Sequence, residues 1–271
     1  MSADGLFTAL AATASVLFVL AGIYIYISLV RQIDSRPTAE TGSEKRFGFP
    51  EVCCAVALMS WFLLNVVASL MVPDRSMQIG ARELVLNASV SLGLLLFLAV
   101  FLRFRGFNVS SLAGLSKPGF GRILSTGFVL LLAAYPLIAV TDALIQRFTG
   151  VGPSRQEIVE LFSNSQALDQ RIMIIILAVA IAPITEEFIF RFFFYSLIKR
   201  YFGRAIGLVV NSLLFAAVHA HLPSFAPLLV LGACFTIAFE WSGSILVSMA
   251  MHTLFNSATL VILAFPQTVP Q

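Results

Sequence analysis

The chain has 271 residues, of which 59% are hydrophobic and 11% charged, and its mean hydropathy is +0.93. A water-soluble domain carries about 25% charged residues, so this composition excludes a fold solvated by water on every side and makes lipid the main solvent. The net charge is +3, and the basic residues lie scattered between apolar segments instead of forming a stripe, which excludes nucleic acid as a partner.

A membrane span needs about 20 mostly apolar residues. Eight stretches qualify, near 6–30, 50–73, 84–102, 122–145, 172–198, 204–220, 225–241 and 244–265. The expected fold is therefore all-α, a polytopic transmembrane helical bundle of about eight spans. The first stretch lacks a basic flank and is longer than a signal peptide's apolar core, so it reads as a retained anchor. Cys53 and Cys54 in the second stretch and Cys234 in the seventh read as small apolar packing residues, because they form no CxxC spacing. The fourth is long enough to tilt or to kink at Pro136.

Three longer loops separate these spans, at 31–49, 103–121 and 146–171. The first is a solvated connector. The third carries Ile158, Val159, Leu161 and Phe162 among polar residues, a pattern that fits either a short interfacial helix or a plain connector. Lys and Arg in the loops set orientation. The odd-numbered loops hold Arg31, Arg36, Lys45, Arg46, Arg103, Arg105, Lys117, Arg122, Lys199, Arg200 and Arg204. The even-numbered loops hold only Arg75, Arg82, Arg147, Arg155 and Arg171. The expectation is that the odd loops are cytoplasmic and both termini lie on the other side.

Ionisable groups at membrane depth are costly and mark function by default. Here they gather in the second half of the chain, as Glu186-Glu187-x-x-x-Arg191, Phe215-x-x-x-His219 and His252-x-x-x-Asn256. Residues four apart share a helix face, so Glu187 and Arg191 are expected to neutralise each other. Glu186 lies about 100° round the axis from Glu187 and is left to face a cavity. Pro183 removes one backbone donor and leaves the carbonyl of Val179 without its usual partner. The bland reading of a lone Glu–Arg pair is a structural clamp, and that of the Phe192–Phe194 run is core or lipid-facing packing. Asp142 and Glu240 fall near span ends and are left outside the site.

Amide hydrolysis needs a group that activates water, one that orients it, and donors for the oxyanion. A carboxylate desolvated in a cavity is a stronger base than one in water, which makes Glu186 the candidate base. His219 fits as its partner on the water, and His252 with Asn256 as oxyanion donors. A zinc ion held by Glu186, His219 and His252 is the rival activator, although H-E-x-x-H is absent.

These motifs, in this order, resemble those of the CAAX-protease and bacteriocin-processing (CPBP, or Abi) family of intramembrane proteases, which includes the type II CAAX prenyl endopeptidases. The resemblance covers residues 172–260. It implies Glu186 as general base, His219 positioning the water, His252 and Asn256 as oxyanion hole, and Glu187 with Arg191 in support. It also implies an endopeptidase, of glutamate-dependent or metalloprotease type, acting on a peptide, prenylated or membrane-protein substrate in a bacterial-type plasma membrane. Residues 1–121 are then N-terminal helices and loops, and 122–271 the catalytic core. The alternative from a different class is a non-catalytic scaffold or a transporter. Against a transporter, the sequence has no internal repeat.

Overall fold

The computed structural model describes residues 3–36, 46–71, 80–115, 119–150, 162, 165 and 167–264. Its elements are helices α1 (Ala3–Asp34), α2 (Phe49–Met71), α3 (Ala81–Phe104), the single turn α4 (Val109–Leu112), α5 (Phe120–Thr149), α6 (Leu168–Ala217), α7 (Leu222–Ser242) and α8 (Ile245–Ala264). No strand occurs among the described residues. A chain in lipid must satisfy its backbone internally, and helices do so within each segment.

Seven of these helices are long and apolar enough to cross a membrane. The longest, α6, contains both the fifth and the sixth expected spans. It breaks at Gly203, where φ is 86° and ψ 172°. The chain then reverses, because a Cβ placed on Gly207 would lie 3.2 Å from the backbone nitrogen of Lys199. Only glycine adopts that φ without strain and allows that approach. α6 is thus a helical hairpin, and the two spans read from the sequence are its arms. The segment 151–161, where an interfacial helix was expected, lies outside the described residues.

Burial is uneven. α1, α2 and α3 present most of their surface outward, whereas α5 to α8 form the centre. Phe190, Phe192, Phe193, Phe194, Phe215 and Phe235 are each at most 2% exposed, so the phenylalanine run packs in the core. α1 joins this core through Tyr26, whose hydroxyl donates to the Leu130 carbonyl of α5 at 2.9 Å.

The helix ends that carry the odd-numbered loops are tied together. Glu240 accepts Lys199 at 2.7 Å and Arg204 at 3.1 Å, and Arg204 also donates to the Ile33 carbonyl. Arg36 donates to the Trp241 carbonyl, Arg105 pairs with Glu51 at 2.8 Å, and Ser244 donates to the Gly114 carbonyl. This face of the bundle is closed by polar bonds. At the opposite face, Glu83 and His221 border a cavity that runs into the bundle.

Candidate active site

α6 carries two π-helical segments, Leu177–Ile181 and Phe188–Tyr195, on either side of Ala182–Glu187. Widened turns of this kind free backbone carbonyls and re-aim side chains. Pro183 adds to the effect by supplying no N–H. Two of the carbonyls on this stretch bond to α8. Val179 accepts the Thr253 hydroxyl at 2.9 Å, and Ala178 accepts the Asn256 amide at 2.7 Å. The sequence singles out the Val179 carbonyl, but gives no sign that Thr253 is its donor.

Glu187 and Arg191 are 0% exposed and paired at 3.0 Å. The guanidinium also lies 4.1 Å from the Phe215 ring centre and 5.1 Å from that of Phe235, an arrangement that stabilises a desolvated cation. His252 approaches the same carboxylate oxygen, Glu187 Oε1, with Nδ1 at 3.0 Å. A carboxylate in an ion pair accepts, so Nδ1 of His252 carries hydrogen.

Glu186 faces the other way, as its place on the helix predicts. Its Oε2 lies 4.0 Å from His219 Nε2 and 3.9 Å from His252 Nε2. His219 Nδ1 is 2.7 Å from the Phe215 carbonyl, which only accepts, so that nitrogen also carries hydrogen. Both imidazoles therefore turn Nε2 towards Glu186, and each has its tautomer fixed by a backbone or carboxylate acceptor. Among the described residues no protein donor reaches Glu186 Oε2, which is buried.

These groups border a cavity of about 360 Å3. Its walls include Glu186, His219, His252 and Asn256, together with Glu83, Asn87 and Ser91 on one face of α3, and His221. The last four play no part in the sequence reading of the site. The i, i+4, i+8 spacing on α3 is a signal that could have found three of them. His221 is one of only three histidines in the chain. Between the two cavity histidines of this turn, Ala220 sits at φ 51°, a left-handed conformation costly for a residue with a Cβ.

The donor chemistry around Glu186 suits zinc, since two imidazole Nε2 atoms with fixed Nδ1 partners face a carboxylate. The spacing does not. Ligands of tetrahedral zinc lie about 3.4 Å apart for bonds near 2.1 Å, against 3.9–4.0 Å here. Among the described residues no group of three His, Cys, Asp or Glu side chains is placed to hold a metal.

Fold and cavity together define a multi-pass membrane protein with an acid–histidine centre inside its bundle. Residues 168–258, about a third of the chain, match the family model described as Type II CAAX prenyl endopeptidase Rce1-like. The match supports a membrane endopeptidase at family level. No curated protein and no solved structure gave a match.

Proposed function

We propose that the protein is an intramembrane endopeptidase in which Glu186 activates water to cut a peptide bond of a membrane-associated protein. The observation that carries this reading is the convergence of Glu186, His219 and His252 from three separate helical segments onto one side of a cavity. Gaps of 3.9–4.0 Å are too long for direct hydrogen bonds. A water about 2.8 Å from both ends of such a gap bridges it.

In the proposed reaction Glu186 takes a proton from water as its oxygen attacks the carbonyl carbon. His219 holds that water through Nε2. The oxygen of the tetrahedral intermediate becomes negative, and a protonated His252 donates to it from Nε2 while Glu187 stabilises the imidazolium through Nδ1. Asn256 commits one amide hydrogen to the Ala178 carbonyl, and its second is available to the same oxyanion. Glu186 then returns its proton to the leaving amine as the C–N bond breaks. Arg191 keeps Glu187 ionised and in place.

The test is cleavage of a quenched fluorescent peptide, tethered to a single-span anchor, by purified protein in detergent. Loss of a general base costs about 10²–10⁴-fold, so Glu186→Ala and His219→Ala are each expected to fall by that order. Equal cleavage by both variants and the wild type would sink the mechanism. Dialysis against EDTA is expected to leave cleavage intact. Loss that zinc alone restores would instead assign the three converging atoms to a metal.

A further inference from the structure

α3 is an apolar span with one polar stripe. Glu83, Asn87 and Ser91 are four residues apart, so they share a face, and that face borders the cavity. Polar side chains on an otherwise apolar span mark a pathway or a binding surface. Ser91 donates its hydroxyl to Asn87 Oδ1 at 3.4 Å, and among the described residues neither amide hydrogen of Asn87 has an acceptor. An extended chain lying along this stripe presents backbone carbonyls to that amide. Glu83 stands at the outer end of the stripe, in the first turn of α3.

The fixed charges around the cavity have one sign. Among the described residues its lining holds two carboxylates, Glu83 and Glu186, and no lysine or arginine. A cleft lined by one sign of charge between low-dielectric walls concentrates the opposite charge. Glu186 is flanked by His219 and His252 and, in the reaction proposed above, is occupied with water. Glu83 is exposed and forms no ion pair among the described residues. An acid in the first turn of a helix also complements the helix dipole, but that role gives no reason for the residue to border the cavity. Packing sets the distance between the two acids. Leu84 shares a buried cluster with Ile174 and Leu177 of α6. Glu186 lies nine to twelve residues further along α6, about 14–18 Å. An extended chain covers that distance in about four or five residues.

We propose that Glu83 is a specificity-determining residue. It selects peptides that carry a lysine or arginine about four or five residues from the bond that is cut, and the intervening backbone lies along Asn87 and Ser91. The place of the cut rests on the hydrolytic reading above, whereas the preference for a cation is a property of binding and is measurable without cleavage. An exposed carboxylate paired with an ammonium is worth a factor of about two to five, so the effect belongs in affinity and KM and weakens with salt.

The test places one Lys, Gln or Glu at each position in turn of an otherwise neutral peptide. Binding of the fluorescent, untethered peptides to Glu186→Gln protein is read by anisotropy, so that the other cavity carboxylate is neutral. At one or two positions Lys is expected to bind about two- to fivefold tighter than Gln, and Glu more weakly than Gln. Adding Glu83→Gln is expected to abolish the difference, and adding Glu83→Lys to reverse it. Glu83→Gln decides the question alone should the reversed charge unfold the first turn of α3. A scan without charge preference, or a preference that survives removal of the Glu83 carboxylate, would overturn the proposal. Cleavage of the tethered peptides by the wild type, mapped by mass spectrometry, then locates the sensitive position. It is expected about four or five residues from the cut. A sensitive position adjacent to the cut would assign the preference to Glu186 and overturn the assignment to Glu83. If the wild type cuts no peptide while binding retains its preference for Lys, the hydrolytic reading fails and the Glu83 subsite stands.

Discussion

Glu186 and Glu187 are adjacent in the chain and opposite in circumstance. Glu187 is fully enclosed, with Arg191 and His252 on the same oxygen. Glu186 retains 28% side-chain exposure and faces the cavity. Removing one partner of an enclosed ion pair leaves an uncompensated charge and costs about 3–5 kcal/mol. Arg191→Leu is therefore expected to destabilise the protein by that order in detergent unfolding. Glu186→Gln is expected to unfold close to wild type while losing cleavage. A Glu186→Gln protein that melted as early as Arg191→Leu would refute this division of labour. Helical spacing made the Glu187–Arg191 pairing legible, and it correctly turned Glu186 away from them. It did not show that His252 joins the two acids, because a ring with two nitrogens reaches both from α8, and spacing along one helix says nothing about another.

At the scale of elements, α6 departs most from a plain span. The eight-stretch reading divided it correctly near residue 203, since an apolar run interrupted by Lys199, Arg200, Gly203 and Arg204 marks a turn. Gly203→Ala forces a Cβ into a positive-φ position and is expected to cost about 1–2 kcal/mol, measured by thermal unfolding in detergent. The π segments were not legible. Their composition is that of any apolar helix, and only contacts with α8 explain where the widened turns are tolerated. Thr253 provides one such contact. Thr253→Val keeps the side-chain shape but removes the hydroxyl that serves the part-buried Val179 carbonyl, and leaving that acceptor unmet is expected to cost about 1 kcal/mol, the low end of the penalty for a buried group. Thr253→Ser restores the donor and is expected to recover most of that loss. Equal unfolding midpoints for Thr253→Val and wild type would mean that the freed carbonyl does not depend on α8.

The molecule as a whole is held shut at one face and hollow towards the other, and that asymmetry predicts a separation between stability and activity. Glu240 binds two cations from the two arms of the α6 hairpin, and beside it Trp241 donates its ring N–H to Gln32 of α1 at 3.0 Å while its carbonyl accepts Arg36. Lys199 and Arg204 remain 35% and 28% exposed in their side chains, so each pair is screened by solvent and worth at most about 1 kcal/mol. Glu240→Ala removes both pairs and leaves Lys199 and Arg204 unneutralised side by side. The expected result is a modest fall in the unfolding midpoint in detergent, smaller at high salt, where screening has already weakened the wild-type pairs. Trp61 is the only other tryptophan, so in a Trp61→Phe background the emission of Trp241 reports this face alone and is expected to shift on the same substitution. Cleavage of the tethered peptide is expected to persist, because no residue of the network borders the cavity. If Glu240→Ala abolished cleavage while leaving the unfolding midpoint and Trp241 emission unchanged, the closed face would have to be reassigned from structural support to the reaction itself.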